Sequence, residues 1–155
     1  MKKEKIKVVL CCFEKIPSDV IKEAKSIIEK KFNAEVKVVK GLFLPPTRVR
    51  KVEGVQQLLA DSFLAPVAAQ AGEDYGIGIT VQDIYTPDTN FVFGLASPLL
   101  RSAIVSTYRL KAKGSVLFLR RIAKEIIHEL GHAIYDLPHC KNPKCVMHFS
   151  NSVED

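Results

Sequence analysis

Two histidines and a glutamate late in the sequence have residue types and a spacing suited to metal chemistry. His128 and His132 are four residues apart in a segment whose apolar 3.6-residue period predicts a helix. Residues at this spacing lie one above the other on a helix face, so both imidazoles can reach one zinc ion. Glu129 lies beside the first histidine, where a carboxylate can accept a proton from a zinc-activated water. The motif HExxH on a helix therefore predicts a zinc site with Glu129 as general base.

The histidines of this chain are clustered rather than scattered. All four lie between His128 and His148, together with two of the four cysteines. We expect His139 to be the third zinc ligand, because three protein ligands leave the open coordination position that catalysis requires. Asp136 has two interpretations. It is either an alternative ligand or the residue that turns the chain at the helix end, since Asp tolerates left-handed backbone geometry.

The segment that begins at His128, HELGHAIYDLPHCKNPKCVMHFSNS, resembles the archaemetzincins, a family of the metzincin clan. The family signature is HExxHxxGxxHC, followed after four residues by C-x-M. Met147 matches the Met-turn of the clan, an apolar floor beneath the zinc ligands. The resemblance implies a zinc metallopeptidase that acts on peptide substrates, with the aminopeptidase-type activity attributed to some members.

The sequence departs from the family pattern at two places. His139 lies one residue later than the third histidine of the signature, and Pro138 occupies that place. Family members also carry a downstream CxxC that completes a structural zinc site with two cysteines matching Cys140 and Cys145. This CxxC does not occur before Asp155, so either the chain is truncated or the two cysteines do not form a complete site. We keep both cysteines as conditional ligands of a second zinc.

The order of the predicted elements fits the fold that the resemblance implies. That fold is a metzincin or zincin-like α/β (mixed α+β) domain, here residues 1–155, with a twisted mixed five-stranded sheet, a backing helix and an active-site helix carrying HExxH. A β-α-β unit opens the chain, and such a unit normally makes parallel strands. Periodicity predicts helices from Pro17, from Val55 to about Ala71, and from about Val116 to Tyr135. The predicted strands are Ile6–Cys12, Ala34–Val39, Tyr75–Val81, Phe91–Ser97 and Ala103–Leu110.

The strand Phe91–Ser97 is the candidate for substrate binding, because a peptide can add as a strand to an exposed sheet edge. Its candidate contact residues are Phe91, Val92, Phe93 and Gly94. The alternative is an ordinary strand with Gly94 at a bulge.

Charge and cysteine content bound the remaining possibilities. The net charge is +6, from 23 Lys and Arg against 17 Asp and Glu. Most of the excess is Lys spread over the N-terminal half, whereas a nucleic-acid footprint is more often a clustered stripe. The cysteine pattern is typical of metal chemistry in a reducing compartment, so we expect a cytoplasmic protein. No apolar run approaches the length of a membrane span. We also expect a monomer. Two alternative functions remain: a zinc protein of the same fold with little or no peptidase activity, and a Cys/His zinc module that binds nucleic acid.

Overall fold

The computed structural model describes residues 5–138, which form three helices and eight strands. The helices are α1 (Ser18–Phe32), α2 (Leu64–Ala71) and α3 (Ser115–Tyr135). The strands are β1 (Ile6–Phe13), β2 (Ala34–Leu42), β3 (Val49–Val52), β4 (Val55–Leu59), β5 (Tyr75–Thr80), β6 (Asp83–Tyr85), β7 (Gly94–Ser97) and β8 (Ser102–Ser106).

The main sheet has five strands in the order β2-β1-β5-β8-β7, which confirms the predicted mixed five-stranded sheet. The first four strands pair in parallel, as the opening β-α-β unit predicts. Strand β7 pairs antiparallel with β8 and forms an edge of this sheet. Strand β7 therefore pairs with β8 on one side, and no strand of residues 5–138 pairs with its other side in this sheet.

Alternate residues of the central strands pack into two different cores. Leu10 and Cys12 of β1 lie in the core beneath α1 and α3, whereas Val9 and Cys11 lie in the core beneath α2 and the small sheet. This alternation follows from the two-residue period of a strand, and it places the two adjacent cysteines on opposite faces. Both cysteines are buried free thiols. Among the helices of residues 5–138, none has the length and apolarity to cross a membrane.

The predicted helix from Val55 to Ala71 is wrong over its first half. Residues Val55–Leu59 form β4, which pairs antiparallel with β3 and parallel with β6 in a second, three-stranded sheet. A tight turn joins β3 to β4, with Glu53 and Gly54 both at positive φ (50° and 81°), as two-residue hairpins require. The helical period gave a wrong prediction here, because the strand is stabilised by its pairing with β3 and β6. Pro66 lies in the first turn of α2, where its missing N–H costs nothing, rather than ending a helix.

The two strands nearest the predicted site are shorter than the sequence indicates. Strand β7 begins at Gly94, and before it Val92 makes a single antiparallel bridge to Ile84 of the small sheet. The pairing of β7 with β8 is regular, so no bulge occurs at Gly94. Strand β8 ends at Ser106, and a 3₁₀ turn follows at Tyr108–Leu110. The segment before β7 therefore leaves the main sheet and connects it to the small one.

Candidate metal centre and cleft

Helix α3 positions the predicted metal ligands through its packing on the main sheet. Its buried apolar side chains include Ile122, Ile126 and Leu130, which lie in the same core as α1. This packing fixes the rotation of the helix about its axis, since the apolar stripe must face the sheet. His128 and Glu129 are then largely buried at the side of the stripe, and His132 follows one turn later.

The two histidine side chains converge on one point. Their Nε2 atoms are 3.2 Å apart, and the rings are inclined by 79°. Two nitrogen ligands of a tetrahedral zinc, each at about 2.0–2.1 Å from the metal, lie about 3.3 Å apart. The spacing of the imidazoles therefore fits a zinc ion between them.

The end of α3 orients the second imidazole. Nδ1 of His132 contacts the carbonyl oxygen of Leu137, and in the neutral ring its N–H donates there. This tautomer presents an unprotonated Nε2, the form that binds a metal. Leu137 reaches this place because Asp136 adopts a left-handed conformation (φ 51°, ψ 39°) and its N–H donates to the His132 carbonyl at 3.0 Å. Asp136 is exposed and ends the helix with a turn.

The Glu129 carboxylate lies beside the histidine pair, and the three side chains do not form a group placed to hold a metal ion. The Glu129 side chain is 8% exposed, and its Oε1 is 3.7 Å from Nε2 of His128. Burial raises the pKa of the Glu129 carboxyl well above its usual range, and the nearby carboxylate of Glu125 raises it further. A bound dication acts in the opposite direction. A carboxylate with a raised pKa is a stronger proton acceptor in its ionised form.

Gly94 of β7 makes room for the Glu129 side chain. A Cβ atom at this position would lie 2.7 Å from Cγ of Glu129 and 2.7 Å from the backbone oxygen of Ile104. Only glycine lets the edge strand approach the glutamate so closely. The strand and the helix are therefore in direct contact at the residue with the predicted catalytic role.

A cavity of about 770 Å³ opens between this edge strand and α3. The candidate substrate-binding residues and the candidate catalytic residues line the same cavity: Phe91, Val92, Phe93, Gly94, His128, Glu129 and His132. The structure thus brings together, across one cleft, two groups that the sequence suggested separately.

The wall of the cavity opposite α3 is held by a polar network that the sequence did not indicate. Asp83, 1% exposed, accepts hydrogen bonds from Gln57 at 2.9 Å and from the Arg109 guanidinium at 2.9 Å. Gln57 also donates to the Asn90 carbonyl at 2.7 Å, and Arg109 lies 3.9 Å above the ring of Phe91. Buried polar groups of this kind are satisfied by each other, so the network fixes the loop that leads into β7. The network forms because β4 pairs with β6, which brings together residues that are far apart in the sequence.

Glu125 is a further residue of the cavity that the sequence did not indicate. It lies one turn before Glu129, lines the same cavity and is 8% exposed. The sequence offers a weak signal for it, since residues at i and i+4 share a helix face. A glutamate in mid-helix is otherwise typical of a solvated surface.

Several predicted site residues lie outside residues 5–138. They are His139, Cys140, Cys145 and Met147. Within the described part of the chain, no group of three or more His, Cys, Asp or Glu side chains is placed to hold a metal ion. The third ligand, the Met-turn and the second zinc remain predictions.

Comparison with known proteins identifies the family of this chain. The sequence model of Peptidase family M54 matches residues 71–155, more than half of the chain. The archaemetzincin of Pyrococcus abyssi is 38% identical over 96% of this chain and 85% of its own length. The archaemetzincin of Pyrococcus horikoshii is 44% identical over 81% of this chain and 71% of its own length.

A solved structure shares the fold over nearly the whole chain. The crystal structure of an archaemetzincin from Methanopyrus kandleri has a TM-score of 0.83 and 37% sequence identity, over 97% of this chain and 84% of that one. The chain therefore belongs to Peptidase family M54, the archaemetzincins, and is a zinc-dependent peptidase.

Proposed function

We propose that this protein hydrolyses peptide bonds at the cleft between β7 and α3, with His128, His132 and His139 as zinc ligands and Glu129 as general base. The observation that carries the proposal is the convergence of two imidazole Nε2 atoms at 3.2 Å, with a buried carboxylate 3.7 Å from one of them. When bound, zinc supplies Lewis acidity, which polarises a peptide carbonyl and lowers the pKa of water at the site.

Glu129 moves the proton in this reaction. Its carboxylate accepts a proton from the attacking water, whose oxygen forms the new bond to the carbonyl carbon. The C–N bond then breaks, and Glu129 delivers the same proton to the departing nitrogen. The products are a carboxylic acid and an amine, and Glu129 returns to its starting state. Burial supports this role because it raises the pKa of the carboxyl, and a carboxylate with a higher pKa is a stronger proton acceptor.

Strand β7 orients the substrate backbone. Because it is an edge of the main sheet, its outer N–H and C=O groups can pair with an extended peptide. Its residues Gly94, Leu95 and Ala96 line the cavity that also holds the histidines. A peptide added along this edge would lie in the cavity that Glu129 lines, next to its contact with Gly94. The aminopeptidase-like specificity that the resemblance implies remains part of the proposal.

Removal and return of zinc tests the proposal. We expect dialysis against a strong chelator to abolish cleavage of a fluorogenic peptide library, and one equivalent of Zn²⁺ per chain to restore it. A His128→Ala variant, treated in the same way, should bind zinc at least about tenfold more weakly and recover no activity. Stoichiometric zinc in the wild-type protein without cleavage of any peptide would overturn the peptidase mechanism and favour a zinc-binding role for the same fold.

A further inference from the structure

The cavity at the metal centre is acidic although the chain is basic. Three carboxylates, of Asp88, Glu125 and Glu129, are among the described residues that line it, and no lysine or arginine is. The whole chain nevertheless carries 23 Lys and Arg and a net charge of +6. A cleft lined by one sign of charge with low-dielectric walls concentrates ligands of the opposite sign. These carboxylates offer partners for a cationic group, which would in turn favour their ionised form.

Glu125 is the buried carboxylate in this cavity that the catalytic mechanism does not use, whereas Asp88 is exposed. Glu125 is 8% exposed, and among residues 5–138 no side chain forms an ion pair with it. An ionised carboxylate that is buried without a partner is costly, and such groups are normally paired. Burial raises the pKa of Glu125 to about 7, while the charge of neighbouring Lys124 opposes that rise. The packing of α3 does not require a carboxylate at this position, because the side chains that it buries in the core are apolar.

The position of Glu125 matches the residue that flanks the bond to be cleaved. It lies four residues before Glu129 on α3, which corresponds to about 6 Å along the helix axis. An extended peptide advances about 3.3 Å per residue, so Glu125 is within reach of a group one or two residues from the reacting carbonyl. Both an amino terminus and a long basic side chain can place a cation in this range.

We propose that Glu125 forms a subsite that binds a cationic group of the substrate, an ammonium or guanidinium, next to the scissile bond. This inference rests on the proposed peptidase function and adds a substrate class to it: peptides with a positive charge beside the cleaved bond. The cation has two sources, the substrate's amino terminus and a Lys or Arg side chain. Where the bound cation is the amino terminus of the substrate, Glu125 is the residue that selects for aminopeptidase action.

Four peptides that differ only in charge distinguish these sources. Each carries either lysine or the uncharged norleucine before the scissile amide, and each has either a free or an acetylated amino terminus. We expect the zinc-loaded wild-type protein to cleave the peptides that carry the selected cation with the higher kcat/KM. In Glu125→Gln, which keeps the size but not the charge, that preference should fall about 10- to 100-fold, mainly through KM.

Two further variants separate a specificity role from a structural one. Glu125→Asp keeps the charge and should restore part of the preference, and Glu29→Gln on the exposed face of α1 should leave the preference at the wild-type value. Loss of the free-terminus preference assigns the subsite to the amino terminus, and loss of the lysine preference assigns it to a side chain. An unchanged preference in Glu125→Gln, or no preference in the wild type, would overturn the inference while leaving the peptidase function in place. Failure of the wild-type protein to cleave all four peptides and the wider library would instead overturn both.

Discussion

Replacement of Glu129 by glutamine is expected to lower kcat by about 10²–10⁴-fold, the usual contribution of a general base, with zinc still bound. The amide keeps the size of the side chain but cannot accept the proton of water. It also remains beside Gly94, where glutamine fits as well as glutamate. Steady-state cleavage of the library peptides and the zinc content by mass spectrometry measure the two effects on the same sample.

The matched control for this variant is Glu29→Gln, which removes one carboxylate from an exposed position of α1. It should keep the wild-type kcat and zinc content. Activity of Glu129→Gln within about threefold of the wild-type value would exclude Glu129 as the general base. Loss of zinc together with activity would point instead to a role in holding the metal, and would contradict the proposed role of Glu129 as general base.

Addition of a single methyl group in Gly94→Ala is expected to lower kcat/KM by about 100-fold without touching a metal ligand. The new Cβ would lie 2.7 Å from Cγ of Glu129 and 2.7 Å from the backbone oxygen of Ile104. Because β8 is a buried strand paired on both sides, Ile104 cannot yield easily, and the Glu129 side chain must move. A displacement of the base of about 1 Å is enough for such a loss.

The same variant should also be less stable, by about 1–3 kcal/mol, which is typical of overpacking a buried contact. Calorimetry measures that loss separately from the kinetic effect. Ser97→Thr is the control, since it adds one methyl group to the far end of the same strand and keeps the hydroxyl that accepts from Leu100. Wild-type kcat/KM in Gly94→Ala would show that the base does not depend on this approach of the strand.

The parts of the fold that local patterns determine could be predicted from the sequence. Helix α3 was expected from about Val116 to Tyr135 and runs from Ser115 to Tyr135, because its apolar stripe continues for the whole length. The same helical spacing brings the imidazoles of His128 and His132 to one point. The parallel strands followed from the opening β-α-β unit.

The parts that depend on distant residues could not be predicted. Strand β4 was expected to be helical, because its five residues are too few to show a strand period without their partners. The burial of Glu125 depends on where β7 and the loop before it lie, and that loop is held by Gln57 and Asp83 of the small sheet. The sequence indicates a possible bulge at Gly94. The structure instead places Gly94 against the side chain of Glu129, 35 residues later on α3.

Anomalous X-ray scattering from a crystal of the zinc-loaded protein tests the metal centre most directly. At the zinc absorption edge, we expect one peak about 2.0–2.1 Å from Nε2 of both His128 and His132, with His139 rather than Asp136 as the third protein ligand. A zinc peak that neither His128 nor His132 contacts would contradict the proposed site and the mechanism built on it.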